Sequence, residues 1–338
     1  MIDLRNYSLL RHNTFGIDVR CQRFLEYSSK DEALEVAHIL RSEKAPFIII
    51  GSGSNLLFTQ DFPGIVVHSS IRGISLTEMP DGSAVLRCGS GETWDDVVDW
   101  TVERGYADLV NLSLIPGEVG ASAVQNIGAY GAEVRQFVCE TSAVEVQNCQ
   151  CFTLTAKDCQ YGYRDSRFKH DWKGRYLITH VTYRLNRDSA LNLEYGNIMA
   201  ELAHRGLSSP TPRQLRDVII DIRRAKLPEP KEMGNAGSFF MNPIVSRQQF
   251  EQLAAQYPEM PHYFVDEEQE KIPAGWLIDQ CGWKGRSLGR AGVYDRQALV
   301  LVNRGGSTGQ DVIALCQAIQ NDVKQRFGID LKPEVNII

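Results

Sequence analysis

Three features of this sequence predict an α+β chain divided into more than one domain. Strand-like runs that empty into glycine-rich loops occupy the first half, amphipathic helices with legible caps recur along the chain, and 338 residues exceed what one hydrophobic core usually organises. Hydrophobic content of 43% with 28 glycines fits a globular protein rich in tight turns, not a disordered one.

The elements follow in order. Ser29-Lys-Asp-Glu32 reads as a capping box, and Ala33, Leu34, Val36, Ala37 and Leu40 continue it at helical period. Pro46 ends that helix, and Phe47–Ile50 reads as a buried strand running into Gly51-Ser52-Gly53-Ser54-Asn55. A strand emptying into such a loop has the geometry of a phosphate cradle, yet neither the Gly-Lys-Ser/Thr ending of a P-loop nor the GxGxxG spacing of a Rossmann turn is present. Residues 84–91 form a second strand with a glycine-rich end, and a helix from about Trp94 to Arg104 stops at Gly105. The second glycine-rich region, 115–131, packs glycines at 117, 120, 128 and 131 among small residues. Backbone N–H groups could converge there on an anion such as a diphosphate, and a plain glycine-rich loop explains the composition equally well.

Residues 142–155 and 176–185 alternate as strands, with Tyr161-Gly-Tyr-Arg-Asp-Ser-Arg-Phe168 between them. Thr211-Pro212 with Gln214 opens a helix whose Leu215, Val218, Ile219, Ile222 and Ala225 share one face, and the prolines after Lys226 close it. Helices near 247–256 and 274–281, a strand at 298–303 and a helix from about Gln310 to Arg326 complete an α+β C-terminal region.

Asn235-Ala-Gly-Ser-Phe-Phe-Met-Asn-Pro243 holds a serine in a turn entered by glycines 234 and 237 and stiffened by Pro243. Such a turn presents one hydroxyl at a fixed place, so Ser238 is a candidate proton donor. The net charge of −6, without a basic tail or block, disfavours nucleic acid and anionic membranes as partners. No signal-peptide pattern opens the chain and no apolar run reaches membrane-spanning length, which reads as a cytoplasmic protein without membrane insertion. The eight cysteines lack CxxC pairing or a histidine at zinc-ligand spacing, so no metal site is expected. Cys149 and Cys151 form a CxC on a strand-like stretch, better read as reduced thiols than as redox or metal chemistry.

Taken jointly, Asn13-Thr-Phe-Gly16, GSGSNLLF, IPGEVGASAVQNIGAYG, YGYRDSRFK, GNAGSFFMNP, AGWLIDQCGWKG and PEVNI resemble the UDP-N-acetylenolpyruvoylglucosamine reductase (MurB) family along essentially the whole chain. Ser-Phe-Phe with Leu193-Glu-Tyr195-Gly is similar to the family variant that carries an extra tyrosine-bearing loop. The resemblance implies a two-part, non-Rossmann FAD-binding region of the PCMH type and a C-terminal α+β substrate domain. The corresponding boundaries are 1–70 (joined by 327–338), 71–208 and 209–326. It implies non-covalent FAD, NADPH as hydride donor, a UDP-sugar substrate and a monomer. Arg164, Ser238 and Glu334 match the family's catalytic positions. Gly51, Ser52, Gly53, Ser54, Asn55, Ile115, Pro116, Gly117, Gly120, Ala121, Gln125, Asn126, Gly128 and Arg223 match flavin contacts, and Tyr130, Tyr195, Lys226, Asn242, Lys284 and Gln297 match substrate contacts.

The implied chemistry accounts for the residue types. Hydride delivered to the vinyl ether's terminal carbon leaves negative charge beside a carboxylate, which an arginine fork suits. Glu334 can donate a hydrogen bond there only when it carries a proton. Met241, where the family more often has lysine, and Ala123, where proline is common, depart from the pattern. Another FAD-dependent oxidoreductase of the same binding group, or a non-catalytic UDP-sugar-binding flavoprotein, would share part of these features.

Overall fold

The computed structural model describes all 338 residues, which separate into two compact units. The first comprises residues 1–7, 20–52 and 62–223, and the second 8–19, 53–61 and 224–338.

The first unit is built on two sheets. In one, the strand Phe62–Ser69 lies between Arg20–Tyr27 and Phe47–Ile50 and pairs with both in parallel. The two outer strands of this trio run the same way, and the helix Lys30–Glu43 makes the crossover between them. Its expected stripe is buried: Ala33, Val36, Ala37 and Leu40 pack with Leu25, Tyr27, Ile65 and Val67. The capping box is shifted by one residue. Ser29 Oγ accepts from the Glu32 amide at 3.1 Å, but the Glu32 carboxylate reaches back to the amide and hydroxyl of Ser28. Phe47–Ile50 is half-buried apart from Ile50, because the strand stands at the edge of its sheet.

The other sheet is antiparallel, in the order 150–155, 138–145, 176–186, 83–89, 74–78. The stretch read as alternating through 142–155 is a hairpin, with Cys149 at its turn in the left-handed region (φ +52°). Cys149 and Cys151 are thus not successive outward positions of one strand, and all eight cysteines are free thiols.

The helix Pro212–Lys226 starts as its sequence predicts, with the Thr211 hydroxyl and the Gln214 amide bonded at 3.2 Å and the reciprocal bond at 2.8 Å. Its apolar face does not found the C-terminal unit. Leu215, Val218, Ile219 and Ile222 pack into the core of the first unit with Trp94, Val97 and Val98, so the compact unit extends to Arg223, beyond the boundary expected near 209. An ion network fixes this docking: buried Arg216 donates to both carboxylate oxygens of Asp95 at 2.7 and 3.0 Å and to Asp99 at 2.9 Å. Burial alone would raise the Asp99 pKa, but Arg213 and Arg216 outweigh it and hold the pKa below the usual range. Replacing Arg216 with leucine leaves Asp95 without its cation and Asp99 with Arg213 alone, and is expected to cost about 3 kcal/mol, since breaking a buried pair from one side costs on the order of 3–5 and Asp99 is partly solvated and still paired. Urea denaturation of the parent and of Arg216→Leu measures that loss.

In the second unit the strand Val300–Asn303 pairs with Asn235–Ser238 on one side and Ala291–Val293 on the other. The helix Gly309–Phe327 buries Val312, Leu315, Ile319, Val323 and Phe327 and opens with a complete capping box between Thr308 and Asp311. The C-terminal strand Asn336–Ile337 pairs in parallel with Leu56–Leu57, directly after the first glycine-rich loop.

Candidate active site

The turn that carries Ser238 is a bulged strand end. Register with Val300–Asn303 shifts between Asn235 and Ser238, and Gly237 sits at φ +68°, a conformation that costs a residue with a Cβ. Asn235 pins the bulge from inside: its Oδ1 accepts from the Gly237 amide at 2.9 Å and its Nδ2 donates to the carbonyls of Met233 and Pro228. Gly234 is required for another reason. It has no positive φ, but a Cβ there would lie 2.1 Å from the Phe15 carbonyl oxygen. The Asn13–Gly16 turn is therefore the floor on which the serine turn rests, with the Asn235 amide donating to Thr14 O at 3.0 Å and Phe15 edge-on to Phe239. Ser238 is exposed on this support while Phe239 and Phe240 are buried behind it.

Glu334 is placed by the same strand. Its amide donates to Phe239 O at 2.8 Å, the Met241 amide donates to Lys332 O at 2.9 Å, and Phe240 bridges Pro333. Ser238 and Glu334 thus stand on neighbouring extended segments. Asn55 holds the far side of Glu334: its Nδ2 approaches Glu334 O at 3.4 Å, and its carbonyl accepts from the Asn336 amide. Asn55, matched to a flavin contact, spends its side chain on positioning Glu334.

Arg164 belongs to the first unit. Gly162 and Asp165 exchange backbone hydrogen bonds at 2.9 and 3.2 Å, leaving Tyr163 and Arg164 at the tip of a tight turn with Arg164 at φ +54°. A non-glycine residue there carries strain, which proteins retain where a side chain must be aimed. Two bonds tie the turn to the second glycine-rich region: Asn126 Nδ2 donates to Gly162 O at 2.6 Å and Ser166 Oγ to Val124 O at 2.6 Å. The guanidinium donates to Gly128 O at 2.5 Å, while the neighbouring Asp165 pairs with His170.

The second loop is more committed to the protein than its composition suggests. The amides of Val119 and Gly120 donate to Glu92 O and Ser90 O, so they are not spare donors for an anion, and Gly120 serves close packing instead. Ile115 packs on the core, and Gly117 accepts from the Trp94 amide. The two loops touch at Gly51, where a Cβ would sit 3.1 Å from Glu118 Oε2 and 3.2 Å from Ala121 Cβ. Gly51 and Ser52 fall in the first unit, Gly53, Ser54 and Asn55 in the second. Gly53 lies so close to the His12 carbonyl that a Cβ would be 1.9 Å from its oxygen.

Arg223 is a buried cation short of counter-charge. Its Nε is buried without a hydrogen-bond partner, and burial, with Arg164 adding to it, outweighs Tyr130 and Asp95 and lowers its pKa, as expected of a cation that lacks a full counter-charge. A buried guanidinium of this kind beside the second glycine-rich loop fits an anionic group such as the diphosphate of a flavin dinucleotide. Tyr130 packs edge-on with Tyr195 at 6.5 Å, and Asn111 donates to the carbonyls of both Tyr130 and Asn192, tying the 191–196 loop to the glycine-rich region. Asn111 had no motif to mark it; only the fold brings its partners together.

The remaining positions lie in the second unit. Lys226 is exposed at the end of its helix, and Lys284 pairs loosely with Asp279 at 3.6 Å. Asn242 caps the helix Ala274–Gln280 through its Oδ1, and Gln297 Oε1 lies near Gly275 and accepts from the Leu299 amide at 3.3 Å.

Sequence comparison matches residues 21–148 to an FAD binding domain and residues 229–338 to the C-terminal domain of UDP-N-acetylenolpyruvoylglucosamine reductase. Proteins named UDP-N-acetylenolpyruvoylglucosamine reductase from Bacteroides fragilis and Burkholderia multivorans are 51% and 47% identical to this chain, covering 99% and 98% of it and 99% and 95% of their own lengths. The crystal structure of the reductase from Thermus caldophilus superposes with a TM-score of 0.67 at 18% identity, covering 99% of this chain and 98% of that one, and so shares its fold. The chain belongs to the UDP-N-acetylenolpyruvoylglucosamine reductase family, FAD-dependent oxidoreductases of peptidoglycan precursor synthesis.

Proposed function

We propose that Arg164, Ser238 and Glu334 carry the family's reaction in this chain: NADPH-dependent reduction of UDP-N-acetyl-3-O-(1-carboxyvinyl)-glucosamine to UDP-N-acetylmuramate. Bound FAD, reduced by NADPH, supplies the hydride. When the terminal vinyl carbon accepts it, the electron pair of the double bond moves onto the carbon bearing the ether oxygen and the carboxylate. Arg164 and Glu334 stabilise the resulting enolate-like charge, the arginine as a planar fork and the glutamate as a hydrogen-bond donor. Ser238 Oγ gives its proton to that carbon and recovers one from solvent, so the substrate gains one hydride and one proton overall. The observation that carries this assignment is the support beneath the two residues of the second unit, where Asn235, Asn55 and the Asn13–Gly16 turn hold Ser238 and Glu334 on adjoining segments.

The glycine-rich loops with Arg223 hold the flavin in this reading, the first unit dividing near residue 70 into its two sheets. Tyr130, Tyr195, Lys226, Asn242, Lys284 and Gln297 take the UDP-sugar. The protein works as a monomer in the cytoplasm, and no helix is long and apolar enough to cross a membrane. NADPH consumption by the purified protein tests the proposal: it should require the enolpyruvyl UDP-sugar, and consumption indifferent to that substrate would refute it. Lys226→Ala is expected to raise KM for the UDP-sugar by about 10- to 100-fold, the worth of one charge-assisted diphosphate contact, without slowing flavin reduction by NADPH. Steady-state KM and stopped-flow reduction measure the two effects separately.

A further inference from the structure

Beneath the two glycine-rich loops lies a buried charged triad that no part of the reaction uses. His68, on the strand Phe62–Ser69, is 7% exposed and sits between two carboxylates: Nδ1 is 2.8 Å from Glu26 Oε2, and Nε2 is 3.0 and 3.1 Å from the two oxygens of Glu118. Glu26 belongs to the parallel sheet, whereas Glu118 is the residue from which the helix Val119–Gln125 starts, inside the second glycine-rich loop. The Glu118 carboxylate also lies against Gly51 of the first loop. One imidazole therefore joins the sheet, the first loop and the second loop.

The charges dictate its state. Two carboxylates on one neutral imidazole would leave one ring nitrogen facing an acceptor without a proton to offer, whereas both nitrogens of an imidazolium are donors. Burial pulls the His68 pKa down, but Glu118 and then Glu26 outweigh it and push the net value above the ordinary one. Phe24 stacks on the ring and Ile50, its cross-strand partner, carries no charge; the Tyr27 phenol lies within electrostatic range of Glu118. An unneutralised pair of carboxylates at this spot would also repel a diphosphate bound to the loops.

We propose that His68 is a positioning residue for the flavin: as a cation clamped between Glu26 and Glu118, it fixes the second glycine-rich loop against the first and offsets their negative charge, so that FAD binds tightly only while His68 is protonated. The inference rests on the reading of these loops as the FAD cradle. Its sign follows from the raised pKa. The clamp is complete at low pH and is lost as pH rises through the folded-state value.

The test titrates FAD into the full-length apoprotein from about pH 6 to 9, read by flavin fluorescence. The parent should show a Kd that rises at least tenfold across this range. His68→Gln should bind at pH 6 as weakly as the parent does at pH 9, with a flat profile. Glu118→Gln, which removes one of the two charges that raise the histidine pKa, should move the rise to lower pH. A parent Kd constant across the range overturns the proposal even if no variant folds, and so does a His68→Gln Kd within twofold of the parent at pH 6. Failure of the parent to take up FAD at any pH would overturn the cradle reading together with it.

Discussion

Ser238→Ala is expected to split the catalytic cycle. The variant should bind flavin and be reduced by NADPH at near the parent rate, because that half-reaction needs no proton from the serine. Reoxidation by the enolpyruvyl substrate should fall by about 10²–10⁴, the usual cost of losing a positioned proton donor. The structure makes this a clean substitution. Ser238 is exposed at the end of its strand, and the bulge beneath it is held by Asn235 and Gly237, neither of which depends on the hydroxyl. Stopped-flow absorbance of each half-reaction measures the split. Reoxidation at the parent rate would remove Ser238 as the acid, and equal loss of both half-reactions would make it a structural residue.

Gly128→Val is expected to abolish both the yellow colour of the purified protein and its turnover. A Cβ at this position would meet Ala132 O at 2.8 Å, Arg164 Nη1 at 2.9 Å and the Glu133 side chain at 3.0 Å. The backbone oxygen cannot yield, so the loop must move, and Gly128 O is itself the acceptor that aims Arg164. One substitution thus disturbs the second glycine-rich loop and the arginine proposed to bind the carboxylate together. Flavin content per polypeptide after purification measures the first effect, and NADPH oxidation with added FAD measures the second. Full flavin occupancy in this variant would place the cofactor away from residues 115–131.

What could be read in the sequence was local. The helix start at Thr211, the turn glycine at 237 and the strand read at 298–303 depend on residues a few positions apart, so period and cap chemistry reveal them. The motifs around Ser238, Arg164 and Glu334 were likewise visible as turns. Their supports were not. Gly234 is needed because Phe15, more than two hundred residues earlier, passes beneath it, and Asn55 meets Glu334 across nearly the whole chain. Phe47–Ile50 read as buried because apolar runs do not distinguish an edge strand from a central one. The boundary at 209 that the family resemblance implies groups the helix at 212–226 with the C-terminal region, whereas its bonds to Asp95 and Asp99 tie it to the first unit. His68 is hidden for the same reason: a lone histidine at a strand end carries no signal until Glu26 and Glu118 are brought to either side of it.

The proposed function stands on one step, hydride transfer to an enolpyruvyl UDP-sugar completed by a proton from the chain's own acid. Anaerobic mixing of the NADPH-reduced protein with that substrate tests it most directly. The flavin absorbance should return in a single turnover, with one UDP-N-acetylmuramate formed per flavin and deuterium from D2O incorporated at the carbon that bears the carboxylate. Flavin that stays reduced until oxygen is admitted, with no muramate product, would contradict it.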